Sequence, residues 1–298
     1  MSKDKPRLGF VGLGIMGVPM VKRLLDKEYE VAVWNLEPER AEAVTSAGAT
    51  WCEGPAEVRA AAEILLFCVL DGDAVEECCF GENGIGRSRS GADILIDCST
   101  ISPERTRDLA QRLEAEAGMS WVDAPISGGP GPAEKGELTI MAGGNDSDFE
   151  RVRPVLETLG ANVTHMGPLG AGQATKNINQ AIVGVNYVLM AEILALAKAA
   201  GIDANAVPDA LRGGMADSVI LQRIYSQMSR RDFEPPKAYA RQLAKDLKSL
   251  RQFHSGLDLD LPLVDAAVDR YVAFVDKGNG MSDSAAIANF YERTSDDR

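Results

Sequence analysis

Residues 9–17 read Gly-Phe-Val-Gly-Leu-Gly-Ile-Met-Gly, with glycines at 12, 14 and 17 directly after an apolar run. A strand predicted over 7–12 and a helix predicted over 14–26 frame these glycines. In that setting the G-x-G-x-x-G spacing has a physical meaning. Gly12 permits a tight turn, Gly14 lets backbone approach a pyrophosphate, and Gly17 lets helix and strand pack closely. The helix N-terminus then presents N–H groups and the positive end of its dipole to phosphates. Gly12, Leu13, Gly14, Ile15, Met16 and Gly17 are therefore candidates for dinucleotide binding.

A second strand predicted over 30–34 ends about twenty residues after the glycines, where the ribose contact of such a fold belongs. An acidic side chain there grips the 2′-hydroxyl, and an arginine meets a 2′-phosphate. Here the position holds Asn35, which bonds a hydroxyl without selecting by charge. Leu36 supplies no cation and Glu37 repels phosphate, so NAD is favoured over NADP. Arg40, one turn into the next helix, is the residue placed to compensate.

The rest of the first half alternates in the same way. The spacing predicts strands over 64–70, 94–98, 120–123, 138–142 and 162–165, and helices over 38–47, 74–80 and 103–117. Such alternation specifies an α/β fold with a mostly parallel, doubly wound Rossmann-type sheet. After about residue 172 strand signals stop. Helical periods run over 173–200, 204–212, 220–229, 237–255 and 261–277, with a last one about 284–292. A chain of 298 residues is long enough for two domains. The break in style divides it into a dinucleotide-binding domain, 1–168, and an all-helical substrate and oligomerisation domain, 169–298, joined by the long helix 173–200.

Composition narrows the partners. Lys and Arg total 31 against 44 Asp and Glu, a net charge of −13, with a pI near 4.7. Such a surface repels nucleic acid and anionic membranes. The five cysteines form no C-x-x-C pair, and adjacent Cys78 and Cys79 make a poor disulfide, which points to reduced thiols in a cytoplasm. The two histidines, His165 and His254, sit in no metal or triad motif, so no metal is expected. The N-terminus lacks signal-peptide anatomy. The longest purely apolar run, 64–70, is far below the ~20 residues of a membrane span. The apolar stretch 174–201 is interrupted by Lys176, Asn177, Asn179, Gln180, Asn186, Glu192 and Lys198, and reads as a helix buried in protein. It exceeds what one small helical domain covers, so a homodimer or homotetramer is expected.

Two further stretches carry chemistry. Ser127-Gly128-Gly129 follows a predicted strand and offers a hydroxyl and open backbone N–H groups, which suit a substrate carboxylate. In Gly170-Ala-Gly172-Gln-Ala-Thr-Lys176-Asn-Ile-Asn179-Gln180, residues 176, 179 and 180 share one helix face. A lysine opening an apolar helix is costly to bury, and desolvation lowers its pKa toward a useful range.

GFVGLGIMGVPM at 9–20, DCSTISP at 97–103, DAPISGG at 123–129, GAGQATKNINQ at 170–180 and AKDL at 244–247 together resemble the β-hydroxyacid dehydrogenase family. That family includes 3-hydroxyisobutyrate dehydrogenases, tartronate semialdehyde (2-hydroxy-3-oxopropionate) reductases and succinic semialdehyde or glyoxylate reductases. The resemblance spans nearly the whole chain. It implies a nicotinamide-dependent oxidoreductase acting on a short 3-hydroxy acid or semialdehyde carboxylate, with Lys176 as general acid/base. It also implies that Ser127, Gly128 and Gly129 hold the carboxylate and that Asn179 and Gln180 assist. Val69, Leu70, Thr100 and Lys245 become further cofactor contacts. Two positions depart from the pattern. Asn179-Gln180 replaces the usual Asn-Asn, as in the tartronate semialdehyde reductases, and Leu70 replaces the usual proline. Imine reductases lack the lysine, and decarboxylating 6-phosphogluconate dehydrogenases carry histidine where this chain has Asn179. The alternative from another class is a non-catalytic dinucleotide-binding assembly module, against which Lys176 argues.

Overall fold

The computed structural model describes residues 5–88 and 90–291. Six parallel strands form the first sheet: β1 (Leu8–Val11), β2 (Val31–Trp34), β3 (Thr50–Trp51), β4 (Ile64–Phe67), β5 (Ile94–Asp97) and β6 (Ser120–Asp123). Their order is β3-β2-β1-β4-β5-β6. β1, β4 and β5 are buried at every residue, as expected of parallel strands covered on both faces. Around them pack α1 (Gly17–Asp26), α2 (Glu42–Thr45), α3 (Pro55–Ala61), α4 (Gly72–Phe80) and α5 (Pro103–Ala117). The strand order reverses between β1 and β4, so the loops leaving these two strands flank the crevice where such sheets bind ligands.

The chain beyond β6 forms a second sheet, where the sequence pattern suggested more of the first. β7 (Ile126–Ser127), β8 (Leu138–Ala142) and β9 (Gly160–His165) pair in that order, antiparallel then parallel. Helices α6 (Pro130–Lys135) and α7 (Asp146–Leu159) connect them. The sequence predicted neither helix. α7 contains Pro154, which reads as a breaker, yet its Phe149, Val152, Val155, Leu156 and Leu159 form a buried stripe at helical spacing.

Helix α8 (Ala171–Ala199) is 29 residues long, and the chain divides within it into two compact units, Met1–Lys176 and Asn177–Arg298. Among the described residues the second unit holds α9 (Val207–Ala210), α10 (Ser226–Arg230), α11 (Ala240–Gly256), α12 (Pro262–Phe274) and a final 3₁₀ helix, Ser284–Tyr291. Glu292, the end of the last predicted helix, lies outside the described residues. The unit has its own core, centred on Tyr225, Tyr271, Phe274 and Leu247.

By length and composition α8 could cross a bilayer, and 39% of its most apolar window is buried. Ile178, Ile182, Leu189 and Leu196 remain exposed along it. All five cysteines are free thiols. Burial pushes the Cys52 thiol up to about 11 and the Cys78 thiol up to about 12.

Candidate active site

The glycine turn at the end of β1 has the geometry a dinucleotide needs. Gly12 has φ +103°, and a Cβ there would stand 2.3 Å from the Cys68 carbonyl oxygen, at the end of β4. A Cβ on Gly17 would meet the Gly12 carbonyl oxygen at 1.9 Å. A Cβ on Gly14 would meet nothing within 4 Å, so this glycine borders open space. The first and third glycines thus serve the protein's own packing, and the second leaves room for a ligand. No side chain caps α1 at Met16, so its N-terminus is available to phosphate. A cleft of about 440 Å³ opens here, bordered by Leu13, Gly14, Ile15 and Arg40. These residues fit a nicotinamide dinucleotide.

Asn35 is buried, and its Oδ1 accepts the Leu13 N–H at 2.7 Å. Its Nδ2 donates to the Glu37 carbonyl oxygen at 3.0 Å and to Glu37 Oε2 at 2.9 Å. Asn35 therefore fastens the glycine turn to the end of β2, a role the sequence did not disclose. Both its donors are engaged, which leaves one oxygen lone pair for a ribose hydroxyl. Glu37 also pairs with Arg40 at 3.4 Å.

The loops after β4 and β5 are joined by Ser99. Its Oγ accepts the Val69 N–H at 3.0 Å, and its own N–H donates to Asp97 Oδ1 at 2.9 Å. Thr100 follows, half-buried, while Leu70 is exposed. Gln173, in the first turn of α8, grips the same loop. Its Nε2 donates to the Ser99 carbonyl oxygen at 2.8 Å, and its Oε1 accepts the Ile101 N–H at 3.2 Å.

Asp123, fully buried at the end of β6, seats α8. Its Oδ1 accepts the Gly170 N–H at 2.7 Å and its Oδ2 the Gln173 N–H at 2.8 Å. A carboxylate is favoured at a helix N-terminus. Burial nonetheless holds the Asp123 carboxyl above its ordinary range, against the pull of these N–H donors.

One turn on, Lys176 is buried, and its Nζ donates to the Ile126 carbonyl oxygen at 2.8 Å. Ile126 directly precedes Ser127, Gly128 and Gly129, so the structure brings the candidate proton carrier to the candidate carboxylate clamp. Ser127 is half-buried on β7, and Gly128 and Gly129 follow at φ +137° and +85°. In the second unit, Asn179 Nδ2 donates to Gln180 Oε1 at 2.8 Å, and Gln180 Nε2 donates to Asp246 Oδ2 at 2.7 Å. Lys245 Nζ lies 3.1 Å from Asp246 Oδ1. Gln180 and Lys245 thus meet on Asp246, and Asn179 joins through Gln180; Asp246 is part of the AKDL motif but not one of the sequence-predicted site residues.

Neither histidine joins this set. His165 stacks on Phe149 with ring centroids 4.5 Å apart, and His254 faces the Leu259 carbonyl oxygen and Asp265. Among the described residues no group of His, Cys, Asp and Glu is arranged to hold a metal ion.

Known proteins resemble this chain along nearly its whole length. Residues 7–167 match the family model described as the NAD binding domain of 6-phosphogluconate dehydrogenase. Residues 170–291 match the one described as NAD-binding of NADP-dependent 3-hydroxyisobutyrate dehydrogenase. The 2-hydroxy-3-oxopropionate reductase of Escherichia coli K12 is 37% identical over 286 residues, covering 96% of this chain and 97% of its own. The 3-hydroxyisobutyrate dehydrogenase of Pseudomonas aeruginosa is 36% identical over 205 residues, covering 69% of this chain and 68% of its own. Among solved structures, the Mycobacterium tuberculosis 3-hydroxyisobutyrate dehydrogenase with L-serine superposes with a TM-score of 0.85 at 27% identity, covering 97% of this chain and 99% of its own.

The seat of α8 is testable. Asp123→Ala leaves the Gly170 and Gln173 N–H groups without their acceptor, at about 1–3 kcal/mol for each buried group left unpaired. For a unit of this size each kcal/mol lowers Tm by about 2–4 °C, so thermal melts should fall by at least about 4 °C. Asp123→Asn, which keeps one acceptor, should fall between. An unchanged melt would remove Asp123 from this role.

Proposed function

The chain belongs to the β-hydroxyacid dehydrogenase family and is a nicotinamide-dependent hydroxyacid dehydrogenase, and we propose that it interconverts a short 3-hydroxy acid and its semialdehyde, with Lys176 as general acid/base. Membership sets aside the non-catalytic assembly module. The observation that carries the proposal is the buried Lys176 Nζ, bonded to the Ile126 carbonyl oxygen beside Ser127-Gly128-Gly129. Within the substrate class, tartronate semialdehyde/glycerate is favoured over 3-hydroxyisobutyrate. The Asn179-Gln180 pair and the 37% identical reductase support that choice.

A nicotinamide, when bound, would supply the hydride chemistry of the reaction. The turn at 12–17, Asn35, Val69 and Thr100 would hold that cofactor. The Ser127 hydroxyl and the backbone of Gly128 and Gly129 hold the substrate carboxylate. In reduction Lys176 Nζ gives a proton to the carbonyl oxygen, and in oxidation it removes the hydroxyl proton. The Ile126 carbonyl oxygen fixes the amine by accepting one of its hydrogens. Asn179, one helical turn on, orients the substrate hydroxyl, and Gln180 is itself oriented by Asp246.

Lys176→Ala should cost about 10²–10⁴ in kcat, the usual worth of general acid–base catalysis, while NADH binding and folding persist. Lys176→Arg should not rescue, because arginine stays protonated. Oxidation needs the neutral amine and should quicken toward alkaline pH, whereas reduction should fade there. Near-wild-type kcat for the alanine variant in both directions would overturn the role of Lys176.

On the cofactor we favour NAD(H). Glu37 places a carboxylate beside Asn35 and already pairs with Arg40, so a 2′-phosphate meets repulsion and an engaged cation. kcat/KM should favour NAD(H) by about tenfold, equivalent to ~1.4 kcal/mol. Glu37→Gln should narrow that ratio by releasing Arg40, which borders the cleft. A wild-type preference for NADP(H) would refute this reading.

We further propose that a second copy of this chain covers the apolar stripe of α8. Ile182, Leu189 and Leu196 recur at seven-residue intervals, the spacing of a helix pairing seam. Sedimentation velocity should register a dimer or larger species, and Leu189→Asp should weaken it. A monomeric wild type at micromolar concentration would exclude this assembly.

A further inference from the structure

Gln173 is fully buried, and neither the glycine turn nor the carboxylate clamp contains it. Its side-chain amide spans Thr100, donating to the carbonyl oxygen of Ser99 and accepting the N–H of Ile101, in the manner of one strand residue pairing with another. The loop it grips is itself tied to Val69 through Ser99 Oγ. The main-chain N–H of Gln173 donates to Asp123 Oδ2, so this one residue is fixed at three points in the first turn of α8. Lys176 lies three residues later, about 4.5 Å along the helix axis at 1.5 Å per residue. A continuous buried path therefore runs from the loops after β4 and β5 to the lysine.

We propose that Gln173 is a positioning residue that locks loop 99–101 to the helical turn carrying Lys176, so that the cofactor-facing loops and the proton carrier keep one fixed spacing. The proposal rests on the reading of Lys176 as the proton carrier. Glutamine suits the position chemically. It supplies one donor and one acceptor at the reach required. A carboxylate lacks the donor, leucine lacks both, and asparagine is one methylene short. Catalysis is sensitive to such spacing, since a displacement of about 1 Å costs about 10²-fold in rate.

The test compares Gln173→Leu, Gln173→Glu and Lys176→Ala with wild type. Three measurements are made: amide hydrogen exchange in the cofactor-free protein, NADH affinity by fluorescence, and kcat for oxidation against pH. In Gln173→Leu the Ile101 amide should exchange faster. Its kcat should fall by about 10–10²-fold, the scale of a sub-ångström to ångström misplacement, with a smaller loss of NADH affinity through Thr100. Gln173→Glu supplies the discriminating signal. Its protonated carboxyl offers an O–H to the Ser99 carbonyl oxygen and a carbonyl oxygen to the Ile101 N–H, restoring both bonds. Its kcat should match wild type at acidic pH and fall toward the leucine variant as the carboxyl ionises. Burial and the nearby Asp123 carboxyl displace this step above the ordinary glutamate range. Lost stability alone lowers the melting temperature without creating such a step.

Wild-type kcat in both Gln173 variants, a loss in Gln173→Glu that is equal at every pH, or a loss confined to NADH affinity would each overturn the role of Gln173. If Lys176→Ala is inactive in the same series, the reading of Lys176 survives that result. If Lys176→Ala retains activity, that reading fails, and the positioning role fails with it.

Discussion

The start of α8 is the constraint on which the site depends. A 29-residue helix whose first turn points into protein must satisfy its leading N–H groups without water. Asp123 does this from the end of β6, with two backbone donors on its two oxygens. Close packing reinforces the seat, since a Cβ on Gly172 would stand 2.3 Å from the Met141 carbonyl oxygen on β8. The two sheets of the first unit thus define where the helix begins, and helical geometry then fixes where Lys176 lies.

Buried polar groups carry the precision of this region. Asn35, Ser99, Asp123, Gln173 and Lys176 are all buried, and each bonds a backbone group of another segment. An unpaired polar group in such surroundings is expensive, so the network has one arrangement that satisfies it and few near competitors. The loops that leave β1, β4, β5 and β6 are thereby held rigid with little regular structure of their own. Rigid loops on a sheet scaffold suit a site that must hold a large cofactor and a small acid in fixed relation.

The parts of the fold legible in the sequence were those whose burial is continuous or periodic. β1, β4 and β5 are buried on both faces and appear as unbroken apolar runs, and α5 has its proline start, its serine cap and its glycine end. β3 and β7 are two-residue strands, too short for any alternation to register. α3 and α6 are short and begin in proline-containing turns. α7 was obscured by Pro154 and its many charges, though its buried stripe is regular. The separate pairing of β7, β8 and β9 depends on which strands meet across sequence distance, which local pattern does not encode.

The sequence by itself determined the class of chemistry. The G-x-G-x-x-G turn after a first strand, the Ser-Gly-Gly turn and a lysine opening an apolar helix are local signals, because backbone conformation and side-chain type suffice to give them meaning. Only tertiary structure decided which groups act together. Asn35 looks in sequence like a ribose ligand and in the fold is also the fastener of the glycine turn. Gln173 and Asp123 lie 50 residues apart in the chain, yet they share the hydrogen bond that seats the helix. Their roles come from partners brought together by strand order and close packing. A one-dimensional pattern records a residue's type and neighbours, and leaves the partner across the fold to the folding of the whole unit.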